Sequence, residues 1–170
     1  MKQIFLLFST MIKNFFYISL VFILLMNLES FLNNYSINIY LFLIFSYLYF
    51  LNLAFQFPKL IGPVSSFFFG ILLDLHTNTF FGLNALMLTF SFLIIQYNYF
   101  QLRMFSQFQL CLFFSLLGIF FLGFRLILES TSNFSYLFIL IGLFINFISS
   151  IIINFLSQLF FKKIGLNAIN

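Results

Sequence analysis

Charge is what this chain of 170 residues has least of. It carries seven Lys and Arg, three Asp and Glu and one His, so charged residues make up only 6% of it. A soluble domain is about 25% charged and about 45–50% apolar. Here hydrophobic residues reach 64% and the mean hydropathy is +1.16. Such a chain cannot cover a surface that faces water, which excludes a soluble globular domain and leaves an integral membrane protein. The same poverty excludes most active sites. With one histidine and three acids there is no nucleophile–base pair, glycine-rich phosphate loop, zinc pattern or haem ligand set, and no enzyme, metal or cofactor chemistry is expected. The lone cysteine, Cys111, cannot form an intramolecular disulfide and reads as a small buried apolar residue. The basic residues are scattered rather than clustered, which argues against a nucleic-acid patch. Tryptophan is absent while Phe numbers 33; with abundant Ile and Asn, this fits the codon bias of an AT-rich genome better than an aromatic binding site.

What is there is a series of apolar runs. Each bilayer crossing takes about 20 residues, so the chain holds one transmembrane domain, 1–170, and little else. Six spans are predicted, over 14–32, 37–57, 62–75, 80–100, 108–128 and 134–161. The first is interrupted late by Glu29. A cleaved signal peptide is the rival reading of this start, but no Ala-x-Ala-like site follows it and further spans do, which favours a retained anchor. Pro58-Lys59 ends the second span, and Pro58 and Pro63 bracket a short loop because proline cannot continue a helix without losing a hydrogen bond. The third span is short: its apolar part, 64–75, cannot cross about 30 Å of hydrocarbon as a straight helix. His76-Thr-Asn-Thr79 reads as a hydrophilic turn and His76 as a solvated residue within it. The sixth run is charge-free over 28 residues, would rise about 42 Å, and must tilt, kink or project.

Six crossings with a cytoplasmic amino terminus put Lys2, Lys13, Lys59, Arg103, Lys162 and Lys163 all on the cytoplasmic side, leaving Glu29, the His76 turn and Glu129 opposite. Every loop then obeys the positive-inside rule, and both termini are cytoplasmic. Five crossings would strand Lys162-Lys163 outside. The expected fold is therefore an all-α bundle of six transmembrane helices.

Small and polar residues recur at helical spacing. Gly82, Ala85, Thr89 and Gln96 do so in the fourth span, Cys111, Ser115, Gly118 and Arg125 in the fifth, and Gly142, Asn146, Ser150 and Asn154 in the sixth. Such stripes form helix–helix seams while the Phe, Leu and Ile opposite face lipid; the alternative use is to line a cavity or a partner groove. The chain is organised around 66–86. There Asp74, the acid furthest from both ends of the chain, sits between Gly70 and Gly82 in greasy surroundings. An intramembrane carboxylate is a functional or assembly site by default: a proton or ion relay, a partner contact, or half of a structural ion pair. The structural roles are favoured, with Arg125 of the fifth span as the mate at the same depth.

Gly70-Ile-Leu-Leu-Asp74, followed by Phe80-Phe-Gly82-Leu-Asn-Ala85-Leu86, resembles the signature of the MreD family of rod-shape-determining proteins. That family reads G-x-x-x-D at the end of a short third span and G-x-x-A-[LM] at the opening of the next. Pro58-Lys59, Arg103 and the basic tail Lys162-Lys163 sit where the family carries its basic turns and end. Two departures stand out: Ser36-Ile-Asn38-Ile replaces the family's frequent Pro with Asp or Asn, and Leu117-Gly118-Ile119 stands where some members carry an acid. The resemblance implies a non-enzymatic, multi-pass protein of the bacterial inner membrane. It would be a scaffold of the cell-elongation complex, binding a bitopic MreC-like partner beside MreB, RodA and the elongation transpeptidase in lateral peptidoglycan synthesis. Gly70, Asp74, Gly82, Ala85 and Arg125 would be its structural or interaction residues. The family's fold is similar to the substrate-binding subunits of energy-coupling-factor transporters, so a small-molecule capture subunit is the alternative.

Overall fold

The computed structural model describes residues 2–35, 43–58, 60–77, 80–129 and 136–164. Among them the chain forms α1 (Lys2–Tyr35), α2 (Phe45–Gln56), α3 (Pro63–Thr77), α4 (Leu83–Tyr97), a short α5 (Tyr99–Arg103), α6 (Gln107–Glu129) and α7 (Tyr136–Ile164), with no strand. Three helices carry stretches long and apolar enough to cross a membrane: Lys13–Asn33, Gln107–Arg125 and Leu140–Leu159. The protein is thus an all-helical membrane protein. The helices α2, α3 and α4, of 12, 15 and 15 residues, rise only about 18–22 Å.

Local chemistry explains where the helices start and stop. Within the expected second span, 37–57, the described residues are helical over Phe45–Gln56; residues 36–42 lie outside those described. The Asn33 side chain takes both backbone groups of Leu43, donating to its carbonyl and accepting from its N–H at 3.2 Å each. The first acceptor of α2 is the Ile44 carbonyl, which takes the Leu48 N–H. Pro58 then stops α2 two residues after its end. Pro63 opens α3 at the first helical position, where its missing N–H costs nothing. Contrary to the expected turn, α3 continues through His76 to Thr77. Between α5 and α6, Ser106 and Gln109 exchange side-chain bonds to each other's backbone N–H, a capping box that starts α6.

The centre of the molecule is α2. Residues 46–54 are buried without a break, and α1, α4, α6 and α7 all pack on it. A helix that is apolar all round belongs inside, and one sheathed by protein has no need to match the bilayer's thickness. Phe69 of α3 holds the α1 side, its ring 4.8 Å from that of Phe22 and 6.0 Å from that of Phe50. On the α6 side Tyr47 stacks on Phe121 at 4.6 Å, and its hydroxyl bonds the Ser91 hydroxyl of α4. The small-residue stripes are the inward faces: Ala85, Cys111, Ser115, Asn146, Ser149 and Ser150 are buried, while Phe90, Leu93, Leu116, Phe144 and Ile148 are exposed. An apolar exterior of this kind is what lipid requires.

The hydrogen bonds divide the polar residues between two ends. Glu29, Asn33, Asp74, His76 and the start of α4 cluster at one. At the other lies a layer of amides and hydroxyls from α2 and α7. Asn52 and Gln56 donate to Asn154 and Ser157 at 3.0–3.4 Å, and Asn154 donates to the sulfur of Cys111 on α6.

Candidate functional site: two acids at helix starts

The stretch 66–86 folds back on itself as the α3–α4 hairpin. Ser66, Gly70 and Asp74 recur every fourth residue and share one face of α3, and all three are buried. The first lies furthest from the turn, its hydroxyl folded back on the Gly62 carbonyl at 2.8 Å. Gly70 sets the spacing. A Cβ at this position would lie 2.1 Å from Ala85 Cα and 2.5 Å from Ala85 N, so the two backbones touch where any other residue would wedge them apart. Ala85 is itself fully buried. One turn further on, Asp74 meets the same end of α4.

Asp74 is 3% exposed, and its carboxylate is held by backbone. It accepts from Gly82 N–H at 2.8 Å and from Asn84 N–H at 2.9 Å, with Ala85 N–H at 3.4 Å. The remaining N–H of that turn, on Leu83, bonds the Phe80 carbonyl at 3.0 Å. A helix start leaves four N–H groups without intrahelical partners, and here all four are served, three of them by one carboxylate from the neighbouring helix. Gly82, the N-cap residue, has φ +96° and offers no side chain for the task. A residue in this left-handed conformation favours glycine, so the cap must come from elsewhere, and Asp74 supplies it. Its negative charge also sits at the positive end of the α4 dipole. The side chain of Asn84 ties the junction back to Thr77 at 3.2 Å.

A second acid repeats the device. Glu29 of α1, 8% exposed, accepts at one carboxylate oxygen from both the N–H (3.0 Å) and the hydroxyl (2.6 Å) of Ser46, in the first turn of α2. Four residues further along α1, Asn33 shapes the entry to that turn. Arg125 of α6 is close enough for its charge to act on Glu29. Ser30, next along α1, bonds His76 Nε2 at 2.7 Å and so links α1 to the end of α3. The Asp74 oxygens accept from the α4 backbone, and the Arg125 charge acts on Glu29.

Gly70, Asp74, Gly82 and Ala85 come together in one junction, and the Arg125 charge acts on Glu29. The sequence reading treated Glu29 as an interruption of the first span and missed its role. Its signal was an acid inside an apolar run with a polar residue one helical turn on (Asn33), ahead of a serine near the start of the next helix. His76 is half-buried and partnered rather than solvated. Among the described residues no cluster of His, Cys, Asp and Glu could hold a metal ion. Chemically, the arrangement can hold two helix ends in a medium without water. Compared with models of protein families, with curated proteins and with solved structures, the chain matches none.

Proposed function

We propose that this protein is a non-enzymatic membrane scaffold of the MreD type, acting in the cell-elongation complex of a rod-shaped bacterium and holding a bitopic MreC-like partner. The observation that carries this reading is the convergence of the signature residues. Gly70 and Asp74 on one side, and Gly82 and Ala85 on the other, form a single helix junction. A motif defined by such a junction is a fold signature, and it leaves the molecule's outer faces free for partners. In this reading six segments cross the bacterial inner membrane, with α2 to α4 as its short crossings and both termini cytoplasmic. Lys13 and Arg103 belong to the end away from Glu29 and Asp74, which supports that orientation.

The experiment is depletion of the protein in its own bacterium, with cell shape scored by microscopy and the complex recovered through a tag on this chain. Rods rounding into spheres, together with recovery of a bitopic MreC-like protein, is the expected result. Unchanged shape with loss of uptake of a vitamin would overturn it in favour of a capture subunit.

A further inference from the structure

One residue of α1 breaks the apolar rule of this molecule's exterior. Within the membrane-crossing stretch Lys13–Asn33, Ile18, Phe22, Met26 and Glu29 are buried where α1 packs on α2 and α3. On the opposite face Phe16, Leu20, Ile23 and Leu24 are exposed, and so is Asn27. An amide turned towards hydrocarbon is out of place there, because strongly polar side chains in membrane helices are costly and face protein or water. Asn27 satisfies part of itself by donating from Nδ2 to the Ile23 carbonyl at 2.9 Å. Its side-chain oxygen accepts from none of the described residues.

Lipid tails hold neither water nor any donor for that oxygen, so its partner is protein. The surrounding residues say which protein. Phe16, Leu20, Ile23 and Asn27 follow one another at steps of four, three and four, the spacing of a heptad seam with Asn27 at an a-type position. A single Asn at such a position fixes register and strand number by meeting its like. The amide is donor and acceptor at once, so two of them face to face satisfy each other. Copies of one chain in one membrane share an orientation, and a two-fold axis along the membrane normal sets both Asn27 side chains at the same depth. A foreign helix would need a matching polar group at that height, whereas a second copy carries one by symmetry.

We infer that the exposed face of α1 is a self-association surface. Two copies of this chain pair there in parallel, packing through Phe16, Leu20 and Ile23, with the Asn27 amides hydrogen-bonded across the axis. The inference stands on α1 and does not depend on the scaffold reading; it makes a pair of copies the unit that any further partner meets.

The test uses the purified full-length protein, without any partner, in phospholipid vesicles. Energy transfer between two differently labelled populations is followed as the protein is diluted into lipid. Wild type should pair, and Asn27→Leu should weaken pairing about tenfold, the size of two interhelical hydrogen bonds. Because Asn27 is exposed, that variant should melt in detergent within a few degrees of wild type, and Asn27→Gln should retain most of the pairing. In a Cys111→Ser background, Ile23→Cys should form a disulfide-linked dimer under mild oxidation in native membranes. Leu93→Cys, on the outer face of α4, should not. A wild type that stays monomeric at every dilution would overturn the inference, as would unchanged pairing of Asn27→Leu. So would cross-linking of Ile23→Cys to a different protein alone. None of these results would touch the scaffold reading, which stands or falls on cell shape and recovery of the bitopic protein.

Discussion

Asp74 and Glu29 do the same work in different settings. Each is a buried acid near the end of one helix that accepts from backbone at the start of another, Asp74 from three N–H groups and Glu29 from one. Asp74 reaches over a short turn, and Gly70 presses the two backbones into contact beside it. Glu29 reaches across 17 residues to a serine that contributes its own hydroxyl, with the Arg125 charge nearby. The first junction is set by steric fit and a bare helix end, the second by a network that shares its load. An acid in an apolar run thus need not be a relay or a ligand. In lipid, the nearest group that wants a negative charge is a helix start.

The comparison can be broken most forcefully at Gly70. Gly70→Ala puts a methyl 2.1 Å from the α4 backbone, so the hairpin must open. A loss of about 3 kcal/mol is expected, read as a large fall in melting temperature in detergent, with Gly70→Leu worse. Next comes the capping acid. Asp74→Ala strands N–H groups that have no water to turn to, and should cost about 2–3 kcal/mol. Ser46→Ala, the corresponding cut in the Glu29 network, leaves the Ser46 N–H bond in place and should cost about 1 kcal/mol. Equal losses at the two sites would erase the distinction between them. Gly82 belongs with Ser46 at the weak end, because a Cβ there meets nothing within 4 Å and only φ +96° resists it. Gly82→Ala should cost about 1–2 kcal/mol, and Gly82→Asn less, because Asn tolerates the left-handed region; urea or SDS titration of the two variants checks the order.

Much of this was legible in the sequence. Composition alone fixes a membrane protein, and the helix limits of α3, α6 and α7 fall within a few residues of the expected spans because proline, charge and turn residues mark them. The spacing of Gly70 and Asp74, and of Gly82 and Ala85, marked the hairpin as the organising stretch. What the residues could not reveal was which atoms Asp74 would meet. The expectation of Arg125 as its mate followed from sign and depth; the backbone N–H groups that the carboxylate also meets carry no letter in a sequence. The Asn33 amide on the Leu43 backbone was hidden for the same reason. The placement of α2 at the centre, with its two tyrosines turned to different seams, is a property of assembly that periodicity does not encode.

The central claim is that Asp74 is a cap for α4, and a charge exchange tests it most directly. Stability in detergent is measured for Asp74→Arg, Arg125→Asp and the double variant. An arginine at position 74 has no acceptor to offer the Gly82 and Asn84 N–H groups, so the double variant should be no more stable than Asp74→Arg alone. Restoration of wild-type stability by the exchange would mean that Asp74 is held by Arg125 after all, and the cap would lose its place in the account.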